Sequence, residues 1–173
     1  DKLLRESLGF LVSDISPVNE FNILVEGEFD RELLIEANKH FKILDLNDVS
    51  IIGCSRASNI QKYASLYRSN DLAVVGLYDS DSPGKSSFNS ATGFEKVQLI
   101  DVCKGVETIE DILPENTFLI GVNSWKKKEK IKKIFNAVVP RMTQINNELL
   151  DDSAKKIEQK HFLENCLMEE VRT

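Results

Sequence analysis

The sequence predicts an α/β fold with a mostly parallel sheet of about four strands flanked by helices. Short apolar segments alternate with segments of helical periodicity from residue 21 onward, as in the βα units that build a parallel sheet. Residues 72–78 (LAVVGLY) are apolar almost throughout, which is typical of a central strand covered on both faces by helices. Toward the C-terminus the pattern becomes helical, so we expect a helical extension after the sheet.

Apolar strands followed by apolar helical stripes indicate the first two βα units. Residues 21–25 predict the first strand, and Asp30 stands where the N-cap of the following helix is expected. Residues 49–53 predict the second strand, and Ser58 is the expected cap of the next helix. The later elements are the central strand at 72–78, a loop at 82–84, a strand at 96–100, a helical turn at 109–113 stopped by Pro114, and a candidate strand at 117–122.

Three segments are expected along the chain. Residues 1–20 are predicted to be an N-terminal helical segment and linker, residues 21–123 the α/β core, and residues 124–173 a helical extension of the same domain. The apolar positions of the first helix are Leu3, Leu4, Leu8, Leu11 and Val12. Those of the extension are Ile131, Ile134, Phe135 and Val138 in one stripe and Ile157, Phe162, Cys166 and Leu167 in another.

Composition favours a cytoplasmic protein without a membrane segment. The chain of 173 residues is 42% hydrophobic and 29% charged, and no apolar run approaches the roughly 20 residues that span a bilayer. Three widely spaced cysteines and two histidines disfavour a disulfide framework and a zinc site, so a metal would be held mainly by oxygen ligands. Because the sequence begins with Asp1 and lacks a signal-peptide pattern, we expect a piece of a longer polypeptide.

The net charge of −6 argues against a protein that coats DNA by electrostatics alone. Positive charge is concentrated in residues 125–133 (WKKKEKIKK), which hold six lysines and one glutamate. Lys126, Lys127 and Lys130 are therefore candidate contacts to nucleic-acid phosphates. The alternative, which the helical spacing favours, is that these lysines solvate the outer side of a helix whose apolar side is buried.

Acidic residues follow two of the predicted strands, at the point where each strand ends. Glu26 comes directly after the first strand, with Asp30 four positions later, and Asp79 and Asp81 come directly after the central strand. Ligands of open α/β sheets bind beyond the carboxyl ends of the strands, so these carboxylates meet if the two strands are neighbours. Such a cluster repels itself unless divalent cations neutralise it, and its oxygen ligands suit Mg²⁺ or Mn²⁺.

Some of these acidic residues have a purely structural alternative. Acidic residues after strands often cap helices or form turns; for Asp30 this role and metal binding are equally favoured, and for Glu28 capping is the better interpretation. For Glu26 together with Asp79 and Asp81, the equivalent placement at two strand ends favours a metal site.

Residues 82–86 (SPGKS) look like part of a nucleotide-binding P-loop. That motif requires a first glycine five residues before Gly84, where this chain has Asp79, so a P-loop is excluded. Lys85 stays a candidate contact to phosphate from the loop after Asp81, with a solvated loop lysine as the alternative.

The two acidic motifs resemble those of a known superfamily. VEGEFD (residues 25–30) and YDSD (residues 78–81) resemble the glutamate motif and the D-x-D motif of TOPRIM domains. Within that superfamily the chain is most similar to the overcoming-lysogenization-defect (OLD) nucleases. Residues 51–60 (IIGCSRASNI) resemble the segment around their second strand, and residues 108–114 (TIEDILP) resemble their acidic helix ending in proline. The resemblance covers residues 22–114 well and the C-terminal helices only loosely.

The resemblance implies a Rossmann-like TOPRIM fold and an acidic site that holds two divalent ions, Mg²⁺ or Mn²⁺. The implied metal ligands are Glu26, Asp30, Asp79, Asp81 and Glu110, the last from the acidic helix. Glu107 and Asp111 are weaker candidates for that ligand, and Asp111 has a structural alternative because Thr108 and Asp111 have the spacing of a capping box.

The resemblance also implies a lysine near the scissile phosphate, carried by the C-terminal helix. Lys160 in EQKHFLENC is the nearest match, and Lys155 and Lys156 lie about one helical turn away as alternatives. Glu26, Asp79 and Lys160 are thus the expected catalytic residues.

These features together predict a metal-dependent endonuclease domain that hydrolyses DNA by a two-metal mechanism. The resemblance implies an ABC-type ATPase domain, in the same chain or in a partner chain, and a role in antiviral defence against phage; a homo-oligomer is compatible with it. The alternatives are a catalytically silent TOPRIM module for assembly or nucleic-acid binding, or another TOPRIM enzyme such as a primase, topoisomerase or RNA-maturation nuclease. A topoisomerase would need another domain, because the tyrosines lie in apparent helix or strand positions.

Overall fold

The computed structural model describes residues 19–129, 141–146 and 153–172. Its sheet has the strand order β2-β1-β3-β4, and every pair of neighbouring strands is parallel. The strands are β1 (Phe21–Val25), β2 (Val49–Gly53), β3 (Ala73–Tyr78) and β4 (Glu95–Gln98). The predicted α/β class and four-stranded parallel sheet are therefore confirmed.

Helices flank this sheet and continue beyond it. They are α1 (Glu28–Phe41), α2 (Ala57–Arg68), α3 (Ser82–Ser90), α4 (Leu99–Val102), a 3₁₀ helix (Ile109–Ile112), α5 (Glu115–Glu129), α6 (Arg141–Asn146) and α7 (Ser153–Val171). Among the residues that the structure describes, we find no helix with the length and apolar character that a membrane span requires.

Two apolar cores cover the two faces of the sheet. The first lies under α2 and includes Leu24, Ile52, Ile60 and Tyr78, whose strand members share one face because strand residues alternate. The second joins α1, α5, α6 and α7 and contains large buried side chains such as Trp125. The C-terminal helices are thus part of the main fold, because their apolar side chains complete this second core.

The candidate strand at 117–122 is wrong, since these residues lie within α5. Phe118, Val122 and Trp125 follow one another at helical spacing and are fully buried. A short apolar run fits a strand and a buried helix equally well, so its periodicity did not distinguish them. The fourth strand and the helical turn were predicted within a few residues of β4 and the 3₁₀ helix.

Two predicted helix starts are shifted, and one predicted loop is helical. The N-cap of α1 is Gly27, and Asp30 occupies the third helical position; the N-cap of α2 is Arg56, and Ser58 is already inside the helix. The predicted loop at 82–84 is the first turn of α3, where Pro83 fits because the first turn needs no amide hydrogen from it.

The remaining predictions concern the C-terminal apolar stripes, the N-terminal helix and the boundary at residue 123. Ile157 is 60% exposed, so its inclusion in an apolar stripe is wrong; the buried stripe of α7 begins at Leu163 and continues through Cys166 and Leu167. The helix predicted within residues 1–20 and the stripe within 131–138 lie outside the described residues. Helix α5 includes residues on both sides of the expected boundary at 123, and the domain boundaries stay a prediction.

Candidate acidic site at the strand ends

The acidic motifs meet because β1 and β3 are adjacent parallel strands. Leu24 is paired with Gly76, so both strands end at the same edge of the sheet. There the backbone N–H of Asp79 donates to Oε1 of Glu26 over 2.9 Å, although the two residues are 53 positions apart. This hydrogen bond fixes the glutamate of the first motif against the start of the second.

Helix α3 begins directly above this junction. Asp81 is its N-cap, and Oδ1 of Asp81 accepts from the backbone N–H of Gly84 over 2.8 Å. A methyl group on Gly84 would lie 2.2 Å from the carbonyl oxygen of Asp79 and 2.9 Å from Oε1 of Glu26. The glycine is therefore required so that the helix start can approach the two strand ends.

Asp30 enters the site from the first turn of α1. Its Oδ2 accepts from the backbone N–H of Gly27 over 2.7 Å, which holds the carboxylate close to Glu26. Glu28, by contrast, pairs with Arg31 on the outside of the same turn. The structural interpretation of Glu28 thus fits its surroundings.

All five predicted ligands line a single cavity of about 480 Å³. They come from four separate parts of the chain: the end of β1, the start of α1, the end of β3 and the 3₁₀ helix. The cavity-lining residues predicted from the sequence are Glu26, Asp30, Asp79, Asp81, Glu110 and Lys160.

The site holds more carboxylates than it can keep ionised. Burial, followed by the negative charge of Asp30 and Glu110, raises the pKa of Asp79 to about 10. Burial likewise raises the pKa of Glu26 to about 7, although the hydrogen bond from the Asp79 amide lowers it. Burial also raises the pKa values of Glu110, to about 7, and of Asp30. Bound protons therefore offset part of the repulsion when no cation is present.

Helix α7 places the positively charged side chain of Lys160 at this acidic cavity. The side chain of Lys160 is 49% exposed, and its Nζ lies 3.7 Å from Oε1 of Glu164. Burial lowers the pKa of Lys160, but Glu110, Glu164 and Asp30 outweigh it, and the net effect is a raised pKa. Lys160 is therefore a permanent positive charge beside carboxyl groups that are partly protonated.

The neighbours Glu110 and Asp111 have different surroundings. Glu110 is buried and lines the cavity, whereas Asp111 accepts from the backbone N–H groups of Glu107, Thr108 and Arg141. The guanidinium of Arg141 donates to the carbonyl oxygens of Glu110 and Leu113 over 3.0 and 2.7 Å. Asp111 thus caps and anchors the 3₁₀ helix, in agreement with its predicted capping role, and Glu107 does not line the cavity.

The carboxylates surround the cavity without converging on a single point. Within residues 19–129, 141–146 and 153–172, no three histidine, cysteine, aspartate or glutamate side chains stand together as a ready-made metal site. The donor set is nevertheless all oxygen and strongly acidic, as Mg²⁺ or Mn²⁺ requires. A cation would have to draw the side chains inward and displace their protons.

The predicted phosphate-binding lysines are not at the cavity. Lys85 is exposed on α3, and Lys126 and Lys127 lie on α5; none of them lines the cavity. Lys130 lies outside the described residues. Lys155 and Lys156 are exposed one turn before Lys160 and are also absent from its walls.

Sequence reasoning missed several residues that line the cavity. They are Ser55, Arg56 and Ser58 around the start of α2, Ser86 and Ser87 on α3, Met142 on α6 and Glu164 on α7. The rule used for β1 and β3 also applies to the carboxyl end of β2, so it pointed to the first three. Glu164 lies four positions after Lys160, and that helical spacing was its only signal.

Comparison with known proteins shows similarity to a family model and to a solved structure. Residues 20–81 match the family model described as "Overcoming lysogenization defect protein-like, TOPRIM domain". No curated protein matches the chain significantly. The C-terminal region of the Burkholderia pseudomallei OLD protein superposes with a TM-score of 0.44 and 15% sequence identity, over 87% of this chain and 88% of that one. The family match spans both acidic motifs, so the resemblance predicted from them is confirmed over that stretch.

Proposed function

We propose that this chain, whose residues 20–81 match the OLD-like TOPRIM family model, is a divalent-metal-dependent nuclease domain that hydrolyses phosphodiester bonds in DNA. The observation that carries the proposal is the convergence of five carboxyl groups from four parts of the chain on one cavity. A cluster of this kind is costly for folding, and the same cluster is useful for binding Mg²⁺ or Mn²⁺.

The donor chemistry supports a metal role. The raised pKa values of Glu26, Asp79 and Glu110 show that burial and mutual repulsion disfavour three ionised carboxylates here unless a positive charge offsets them. We propose Glu26, Asp30, Asp79, Asp81 and Glu110 as the ligands of up to two ions. Bound divalent cations would supply charge neutralisation and Lewis acidity toward the phosphodiester.

The side chains of this protein would orient and stabilise the reacting group. The Asp79 amide holds the Glu26 carboxylate at the strand end, so that this ligand is fixed before substrate arrives. Asp81 is fixed in the same way by the Gly84 amide. Lys160, which lines the same cavity, would stabilise negative charge that develops on the phosphate oxygens.

We extend the proposal to the organisation of the whole protein. Lys160 belongs to the predicted extension at 124–173 and lines the same cavity as the carboxylates of the core, which supports one catalytic domain for residues 21–173. An ATPase domain in the same or a partner chain, assembly into a homo-oligomer and action in cytoplasmic antiviral defence are proposed from the family resemblance.

A catalytically silent TOPRIM module is the second candidate function. The observation that favours it is that the carboxylates of the described residues do not form a ready-made group of three ligands. In that case the domain would bind nucleic acid or a partner without cleaving it. The two functions differ in whether cations draw the carboxylates together.

A plasmid cleavage assay distinguishes the nuclease from the silent module. The protein is incubated with supercoiled plasmid DNA while Mg²⁺ or Mn²⁺ is titrated. We expect nicking and linearisation that rise with either ion, stop with EDTA and are absent from the Asp79→Asn variant. Binding of Mn²⁺, followed by electron paramagnetic resonance in the absence of DNA, gives an independent measurement. Absence of both cleavage and Mn²⁺ binding would reject the nuclease and leave the silent module.

A further inference from the structure

We infer that Glu164 is a positioning residue that holds the ammonium group of Lys160 at the edge of the acidic cavity. The inference rests on the proposed nuclease function, in which Lys160 acts on the phosphate. It concerns a residue outside the acidic motifs and outside the part of the chain that matches the family model.

The geometry joins three side chains on one side of α7. Oε1 of Glu164 lies 3.7 Å from Nζ of Lys160, and Oε2 of Glu164 lies 3.1 Å from Nδ1 of His161. The side chain of Glu164 is only 16% exposed, whereas those of Lys160 and His161 are 49% and 70% exposed. The carboxylate is therefore the fixed member, and the lysine is the member whose position it determines.

The Lys160–Glu164 pair stands in the less favourable order for stabilising a helix. Oppositely charged pairs four positions apart support a helix best when the acidic residue comes first, and here the lysine precedes the glutamate. Glu164 and Lys160 instead line the same cavity. The placement of the pair thus follows the site rather than the stability of α7.

Several carboxylates attract the ammonium group of Lys160, and Glu164 is close enough to hold it in place. Within the described part of the chain, Glu164 is the carboxylate whose oxygen lies within 4.0 Å of Nζ. Glu110, Asp30 and Asp79 attract the same ammonium from farther inside the site. Because a lysine side chain is long and flexible, removal of Glu164 would let it move toward these carboxylates and away from the phosphate.

Glu164 could instead be a cation ligand, and a comparison of variants separates the roles. The variants are Glu164→Gln, Lys160→Ala, the double variant of both, and Glu158→Gln as the control; Glu158 is exposed on the same helix and does not line the cavity. We expect Glu164→Gln to lower the single-turnover rate about 10- to 100-fold, as for residues that orient a reactive group. The KM and the Mn²⁺ affinity should be unchanged, and Glu158→Gln should match the parent.

The double variant is the decisive measurement. In the Lys160→Ala background, Glu164→Gln should cause no further loss, because a residue that acts through Lys160 has nothing left to position. Additive losses, a parent-like rate for the single variant, or weakened Mn²⁺ binding would each overturn the inference, the last in favour of a metal ligand.

A measurement that does not need cleavage keeps the inference separate from the proposed function. With ¹⁵N-labelled lysine, the Nζ signal of Lys160 should shift between the parent and Glu164→Gln, because the ammonium then moves away from position 164 and toward the inner carboxylates. If the parent shows no cleavage but this shift occurs, the nuclease proposal fails and the placement of Lys160 by Glu164 stands. An identical Nζ signal in both proteins would overturn the inference.

Discussion

The candidate site has two walls that are built in different ways. The strand-end wall consists of Glu26, Asp79 and Asp81, and backbone N–H groups hold Glu26 and Asp81 in place. The helical wall consists of Glu110, Lys160 and Glu164, and it depends on contacts between segments distant in sequence, such as those of Arg141. The first wall contains only acidic side chains, whereas the second includes the ammonium group of Lys160. Binding of a metal and stabilisation of the phosphate are therefore expected to respond to different substitutions.

The largest effect is expected at the centre of the strand-end wall. Asp79→Ala should abolish divalent-dependent cleavage, since it removes a proposed metal ligand close to four other carboxyl groups. The fold should remain, because the substitution also relieves carboxylate repulsion. Plasmid cleavage and far-ultraviolet circular dichroism measure the two effects. Unaltered cleavage at saturating Mn²⁺ would show that this wall does not bind the catalytic metal.

The cation of the helical wall should give the next largest effect. Lys160→Ala is expected to lower the single-turnover rate by on the order of 10² to 10³, with little change in affinity for metal or DNA. Lys156→Ala is the matched control, since Lys156 is exposed one turn earlier on α7. If the control is slow and Lys160→Ala is normal, the predicted register of the catalytic lysine is wrong by one turn. If both are normal, the catalytic cation lies elsewhere, and Arg56, which lines the cavity, becomes the next candidate.

Arg141 tests whether the helical wall depends on long-range contacts. It is 5% exposed and its guanidinium also lies over the ring of Phe118, at 4.7 Å from the centroid. Arg141→Ala should destabilise the protein by about 3 kcal/mol, because it leaves two buried carbonyl groups without this donor. Urea unfolding measures the loss, with Arg141→Lys as a partly conservative comparison. A loss below about 1 kcal/mol would mean that other contacts hold this wall.

The pH dependence of stability should distinguish the acidic site from the rest of the fold. Because the pKa values of Glu26 and Glu110 are raised to about 7 and that of Asp79 to about 10, these groups bind more protons folded than unfolded. Their contribution is fully present below the ordinary carboxyl pKa. It is lost as pH rises through about 7 for Glu26 and Glu110 and through about 10 for Asp79. In EDTA, the Tm should therefore fall between about pH 5 and 8.

Two comparisons isolate this contribution. Asp79→Asn should reduce the fall in Tm, since it removes the group with the largest upward pKa shift of the three. Added Mg²⁺ should also reduce it, because a cation favours the ionised carboxylates. The same pH profile for the parent and Asp79→Asn, with and without Mg²⁺, would contradict the pKa values given for the strand-end wall.

The smallest effect is expected at the lysine run on α5. Lys126 is half-buried and Lys127 is exposed, and neither lines the cavity. Their joint replacement by Gln should leave the salt dependence of DNA binding nearly unchanged, whereas each lost phosphate contact would reduce the slope by about 1. Arg56→Ala is the comparison, since Arg56 lines the cavity. A flatter slope for the lysine variant would assign DNA contacts to α5.

The sequence by itself determined the sheet and the strand-end wall. Alternation of apolar and helical segments predicted the four strands, and the parallel arrangement brought Glu26 and Asp79 together, because parallel strands end at one edge. The strands and the acidic residues at their ends can be located from information local to each strand. The meeting of the carboxylates also required β1 and β3 to be neighbours, which the sequence left open and which the sheet shows. Neither inference needed knowledge of how the C-terminal helices pack.

Only the tertiary structure decided the composition of the helical wall. Glu110 and Asp111 are neighbours in sequence, but their side chains have different surroundings. Asp111 accepts from the backbone N–H of Arg141, 30 positions away, while Glu110 lines the cavity. The same limit explains why residues 117–122 were taken for a strand, since burial of Phe118 and Val122 against α7 favours a helix there. Local periodicity carries no information about such long-range contacts, and these contacts decide which side chains face the site.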